Sequence, residues 1–219
     1  MKSVRVPRKR PQQRRSQATV DVILDAAVRL FCESGFASTS TNAIAELAGV
    51  SIGSLYQYFP NKLALLEALR ERHIKGLWEA IGRACDEACT LPWPAALRHV
   101  ISHCSAYNGR HVRLMTTLHQ ELPVHAQRMD QMILAQSTLQ QQLRKFLEAH
   151  QGSITVSVDQ ALFMMPALGR GIFTSAAVEQ PEAVGDEKLV DDIVCVMLGY
   201  LCGKLPAARA QRVQSIGPR

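Results

Sequence analysis

Between residues 51 and 58 the chain sets Ser51, Ser54, Gln57 and Tyr58 at helical spacing, with Tyr56 beside them. Hydroxyls both donate and accept, and an amide offers one group of each kind. Such side chains suit phosphate oxygens and the edges of bases. Gly53 has no side chain, so the backbone there can come close to nucleic acid or to a neighbouring helix. Two other groupings could carry chemistry. Cys85 and Cys89 lie one helical turn apart, as do His99 and His103, and either pair supplies half of a metal site. Cys104 sits next to His103 and would be a reactive thiol if its pKa were lowered. The plainer reading of each is strong. Cysteine is among the most buried residue types, and two histidines at this spacing also make an ordinary polar face.

The elements that position these residues follow from periodicity and punctuation. Val20, Ile23, Leu24, Ala27, Leu30 and Phe31 recur at three- and four-residue spacing, which predicts a helix from about Ala18 that Gly35 stops. Thr39, Ser40 and Thr41 offer N-cap hydroxyls for a second helix with Ile44, Ala45 and Ala48 on one side. Gly49 ends it, and Ser51 can cap a third helix that runs only from Ile52 to about Tyr58, where Pro60 breaks it. Asn61 can cap a long fourth helix through Leu63, Leu66, Leu69, Ile74, Leu77 and Ile81 toward Cys89. Helical patterns follow at roughly 94–107, 110–119 and 124–150. Residues 153–158 alternate like a strand, but Ser157 to Gln160 form a capping-box pattern ahead of an apolar run, so a helix is expected there. Pro166 should kink that helix, and a last helix is expected from Asp186 to about Gly203. The fold class is therefore all-α, with about nine helices.

Composition limits what these helices can serve. The chain has 219 residues, 47% apolar and 20% charged, with a formal net charge of +6. Lys2, Arg5, Arg8, Lys9, Arg10, Arg14 and Arg15 all precede the first acid, Asp21; without these seven, 18 basic residues face 19 acidic ones. The basicity is thus a terminal arm on a nearly neutral body, as expected of an arm that meets a polyanion. No run reaches 18 consecutive apolar residues, so no transmembrane helix is expected, and no apolar stretch follows the basic start as in a signal peptide. A cytoplasmic protein with its six cysteines as thiols is expected. The chain contains no Walker loop, no dinucleotide fingerprint and no Gly-x-Ser-x-Gly, so neither an enzyme nor a cofactor is expected.

The short third helix needs its neighbours to hold it, because so few turns are not stable alone. A helix, a capped short helix, a glycine turn and a second short helix make a helix-turn-helix. The residues Ile23-Leu24-Asp25-Ala26-Ala27, Leu30-Phe31, Gly35-Phe36, Thr39-Ser40-Thr41, Ile44-Ala45, Ala48-Gly49-Val50-Ser51, Gly53-Ser54-Leu55-Tyr56-Gln57-Tyr58-Phe59 and Lys62 resemble the DNA-binding domain of the TetR family of transcriptional regulators. The resemblance spans about fifty contiguous residues without a gap. It implies phosphate contacts at Thr41, Asn42 and Lys62, and a recognition helix carrying Ile52, Gly53, Ser54, Tyr56, Gln57 and Tyr58. Ser51 joins them on the exposed face, and Arg14 and Arg15 join them from the arm. Many relatives carry a polar or basic residue where this chain has Ile52, so the position is left to a thymine methyl or to no base at all. The ring of Tyr56 can lie in the core with only its hydroxyl outward.

The resemblance further implies a variable C-terminal helical domain that binds a small-molecule effector and forms a homodimer through its last two helices. The expected division is a basic arm at 1–16, a DNA-binding domain at 17–62, an effector and dimer domain at 63–204 and a tail at 205–219. Candidate pocket residues are Trp78, His103, Cys104, Tyr107, Met115, Leu118, Met132 and Phe163. Candidate dimer residues are Leu168, Ile172, Leu189, Ile193, Met197 and Tyr200 on two strongly apolar helices. The partners expected are an operator in double-stranded DNA, an effector and a second copy of the chain, with no membrane. Two alternatives stay open: a DNA-organising or partner-binding protein with no effector, and a regulator that senses thiol chemistry or metal through its cysteines and histidines.

Overall fold

The computed structural model describes residues 14–122 and 138–203, with side chains described from Ser16 onward. These residues form nine α-helices and no strand. They are α1 (Arg14–Ser34), α2 (Thr41–Leu47), α3 (Ile52–Tyr58), α4 (Lys62–Ala88), α5 (Ala95–Arg110), α6 (Val112–Glu121), α7 (Thr138–Ala149), α8 (Val158–Glu179) and α9 (Glu187–Cys202). Single 3₁₀ turns lie at Gln151–Ser153 and Pro181–Ala183. α1 begins four residues ahead of its expected start, so Arg14, Arg15 and Ser16 belong to its first turn and not to an arm. The remainder of the arm, most of the helix expected at 124–150 up to Ser137, and the tail lie outside the described residues.

The chain divides into two compact units. One contains the described residues up to Lys75 together with Arg113–Leu122, and the other contains the rest. The first compact unit thus extends past residue 62, and the reason lies in the core. Ile23, Ala27, Phe31, Ile44, Leu55, Leu65, Leu66 and Leu69 are essentially inaccessible, and Leu114, Leu118 and Leu122 from α6 pack into the same cluster. The start of α4, through Leu69, and the Leu114–Leu122 segment thus close the core of the helix-turn-helix.

In the second unit α9 packs chiefly on α5, while α8 contacts α7 and α9. Arg98 on α5 bridges Glu187 and Asp191 on α9. Gly109 and Gly185 bring backbones together: a Cβ on Gly109 would fall 3.0 Å from Gly185 Cα and from the carbonyl of Val184. Ser157 forms the expected capping box with Gln160 at the start of α8. Pro166 lies inside that helix. By length and composition α8 could cross a membrane, yet it carries Asp159, Arg170 and Glu179 and packs on its neighbours.

Candidate nucleic-acid interface

α3 has seven residues, too few turns to hold itself. Ser51 caps it, its Oγ accepting from the backbone N–H of Ser54 at 3.1 Å and meeting Ser54 Oγ at 2.8 Å. Such a cap stabilises a helix by about 1 kcal/mol. Leu55 is fully buried and Phe59, just past the helix, nearly so. Burying one such side chain contributes roughly 1.5–3 kcal/mol, which anchors one face of α3 and leaves the other free. Gly49, at φ +66°, makes the turn ahead of it, and Gly35, at φ +84°, makes the turn between α1 and α2. A side chain is strained in that conformation.

The free face carries Ser51, Ile52, Gly53, Tyr56 and Gln57, all exposed, with Ser54 and Tyr58 half-buried at its edges. Tyr56 keeps its ring in the open, at 46% exposure, so it is not a core residue with an outward tip. Its hydroxyl lies 3.0 Å from Thr41 Oγ1 at the start of α2. Thr41 and Asn42 accordingly sit where α2 opens, beside the surface of α3. Tyr58 Oη lies 2.9 Å from Ser16 Oγ, which ties the first turn of α1 to the end of α3. Arg14 and Arg15 directly precede that tie. Ser16 was not singled out from the sequence, because a serine 42 residues away carries no local signal of the contact.

Gly53 resolves one question the sequence left open. Its backbone is helical, and a Cβ built there would meet only Ser51 Oγ, at 3.9 Å. No neighbouring helix crowds the position, so the fold itself does not require glycine there.

Lys62 departs from expectation. Its ammonium donates to the carbonyl of Phe36 at 2.7 Å and of Ala37 at 3.1 Å, and lies over the Phe36 ring at 4.7 Å. It holds the turn between α1 and α2, which leaves one of its three protons for a phosphate. Lys62→Ala should therefore lower stability by about 1–2 kcal/mol, the worth of charge-assisted hydrogen bonds in a half-buried site. Chemical denaturation checks this, and an unchanged midpoint would show that these hydrogen bonds add nothing to stability.

The candidate pocket residues are divided between the two units. Leu118 is buried in the core of the helix-turn-helix unit, and Met115 lies on the same α6. Phe163 is 73% exposed on α8. His103 is exposed, its Nδ1 donating to the His99 carbonyl at 2.9 Å. Trp78 is half-buried on α4; Tyr107 stacks on His111 at 4.4 Å and covers Gly76. Met132 lies outside the described residues. The dimer set divides as well. Ile193 and Met197 are buried within the chain, because α9 turns that stripe inward, whereas Leu168, Ile172, Leu189 and Tyr200 are half-buried. Phe163, Val178 and Val196 are the large apolar side chains that α8 and α9 expose.

The surroundings of Cys104 and Cys85 do not favour a reactive thiol. Burial pushes both thiols up to about 12, with neighbouring acidic groups adding to the shift at Cys85. Asn108 lies 3.5 Å from Cys104 Sγ and opposes the shift only weakly. At pH 8 only about one thiol in ten thousand of this kind is ionised, and the thiolate is the nucleophile. Iodoacetamide should then spare both in the native protein and label both in guanidinium. Early labelling of Cys104 in peptide mapping would refute this assignment.

The comparisons agree with this geometry. Residues 23–69 match the family model for bacterial regulatory proteins of the tetR family, and residues 92–201 match the tetracyclin repressor-like C-terminal domain. The probable HTH-type transcriptional regulator YttP of Bacillus subtilis is 27% identical over 107 residues, covering 49% of this chain and 52% of its own. TtgR of Pseudomonas putida is 45% identical over 62 residues, covering 26% and 30%. The chain thus spans about half or less of the length of these curated relatives. Among solved structures, a tetR-family regulator from Mesorhizobium loti superposes with a TM-score of 0.62 at 18% identity, covering 85% of this chain and 98% of that one. NalD, the secondary repressor of the MexAB-OprM multidrug efflux pump in Pseudomonas aeruginosa, does so at 0.55 and 20%, covering 87% and 98%. With residues 23–69 and 92–201 both matched by family models, the chain belongs to the TetR family of DNA-binding transcriptional regulators.

Proposed function

We propose that the chain is a homodimeric, cytoplasmic repressor that reads a palindromic operator and releases it when a small molecule binds the second unit. The observation that carries the DNA half is α3: a capped, anchored helix whose exposed face holds Ile52, Gly53, Tyr56 and Gln57. In a two-fold dimer the two copies of α3 would enter successive major grooves, about 34–36 Å apart. Gln57 suits an adenine edge, Tyr56 and Thr41 a phosphate, and Ile52 a thymine methyl. Arg14 and Arg15 would add backbone contacts from the start of α1.

Support for dimerisation comes from Phe163, Val178 and Val196, which leave apolar surface on α8 and α9 open. Leu168, Ile172, Leu189 and Tyr200 would flank it. Support for a repressor comes from the solved structure of NalD, which is named as one. The effector acts only if it prefers one state of the dimer, and a coupling of about 1–3 kcal/mol lowers operator affinity several-fold to a hundredfold. α4 is the natural carrier, since its residues contribute to both units.

The test is selection from a random duplex library, followed by fluorescence anisotropy near physiological salt. An enriched palindrome bound about a thousandfold or more tighter than shuffled DNA is the expected result. Weak, equal binding of all duplexes would instead fit a DNA-organising protein of the same fold.

A further inference from the structure

We propose that Glu87 on α4 and His99 and His103 on α5 form a surface site for a divalent first-row transition metal ion, with zinc as its probe. The three side chains each offer a ligand atom, and these atoms all lie within 4.8 Å of one another. His99 Nε2 is 2.9 Å from Glu87 Oε2. The two imidazole rings lie one turn apart with centroids 4.3 Å from each other. Two ligand atoms on one tetrahedral zinc ion, with bonds of about 2.0–2.1 Å, lie roughly 3.3 Å apart. The cluster is therefore within about 1.5 Å of bonding geometry.

The hydrogen bonds prepare one ligand already. A carbonyl oxygen has no proton to give, so the 2.9 Å contact between His103 Nδ1 and the His99 carbonyl requires the proton on Nδ1. In the neutral ring the lone pair then sits on Nε2, free to bind. Metal-ligating histidines are commonly held in this way, the second nitrogen donating to a backbone carbonyl. His99 needs one change. Its Nε2–H now faces the Glu87 carboxylate, and conversion to the Nδ1–H tautomer frees Nε2 without net gain or loss of a proton. The metal then stands where that proton stood, between an imidazole and a carboxylate.

The ligand chemistry selects the class of ion. Two imidazoles and one carboxylate suit zinc, copper and nickel better than magnesium or calcium, which prefer all-oxygen sets. Glu87 and His103 are exposed and His99 half-buried, so water can fill the remaining positions. Because Glu87 and the histidines lie on different helices, the ion would tie α4 to α5. Cys85 and Cys89 do not compete in the same way: Cys85 is buried and its thiol is held protonated, and Cys89 Sγ donates to the Cys85 carbonyl.

The test uses the full chain, stripped of metal and titrated with zinc against a chromogenic chelator. One zinc ion per chain in the micromolar range is expected. Glu87→Gln and His103→Gln should each weaken it about tenfold or more, and the double variant His99→Gln/His103→Gln should abolish it. Glu87 and His103 are exposed and His99 is only half-buried, so circular dichroism of the variants should match the parent. Cobalt(II) provides the second readout: visible bands of a nitrogen and oxygen site, with no thiolate charge-transfer band in the near ultraviolet. Undiminished zinc binding in the double variant would overturn the proposal, as would a thiolate band or the absence of stoichiometric binding in the parent.

Discussion

If the proposed dimer forms through α8 and α9, Phe163→Glu should make the chain monomeric and lower operator affinity by two powers of ten or more. The side chain is 73% exposed on a mostly apolar helix, while most other large apolar side chains among the described residues are covered. In a two-fold interface every residue counts twice. Two phenylalanines fully buried on association contribute on the order of 3–6 kcal/mol from area alone. That corresponds to roughly two to four powers of ten in a dissociation constant. The substitution also places two carboxylates on an apolar face, which adds a desolvation cost. It should cost the chain's own core little, since so little of Phe163 is buried there. Sedimentation velocity reads the assembly state, and anisotropy with the selected operator reads the consequence. A variant that stays dimeric and binds as before would remove Phe163 from the interface and leave that role to Val196 and the half-buried residues of α9.

Phe163 also shows where the sequence stops being legible. An apolar side chain on an all-round apolar helix must be covered, but periodicity does not say by what: a ligand, the chain's own core or a second copy. The same limit applies to Ile193 and Met197, which lie one turn apart on α9 and face inward. Leu118 and Met115 are pocket candidates in the sequence, where nothing local tells a pocket wall from a core. Only the folded chain shows α6 returning to the helix-turn-helix core, whose other members lie between Ile23 and Leu69. The reading of α2 and α3 rests on local signals. Ser40 and Ser51 cap them, Gly35 and Gly49 make the turns, and Asn61 caps α4 through the N–H of Ala64 at 2.9 Å. Each of these acts within four residues, which is the range over which sequence alone is informative. Lys62 falls outside that range. Its carbonyl partners lie 25 and 26 residues earlier. The same holds for Glu87, which joins His99 across twelve residues and two helices.

Gly53→Ala should leave the fold intact, or stabilise it slightly, while lowering operator affinity tenfold or more. The two halves of that expectation rest on separate facts. Alanine is preferred to glycine in a helix by up to about 1 kcal/mol, and less in the first turn, where this residue sits. The added methyl group meets nothing in the chain closer than Ser51 Oγ at 3.9 Å, and the backbone is already helical. Stability therefore gives no reason for a glycine at the exposed start of α3. Close approach of DNA does, because a Cβ there would stand between the backbone and whatever α3 docks against. Losing one or two well-made contacts costs about 1–3 kcal/mol, which is tenfold to more than a hundredfold in affinity. The loss should fall on specific and shuffled DNA alike if the neighbour is a phosphate, and on the operator alone if it is a base edge. Thermal melting and anisotropy on the two duplexes separate these outcomes. Wild-type affinity in the alanine variant would place Gly53 away from the DNA and move the reading face of α3 toward Tyr56 and Gln57.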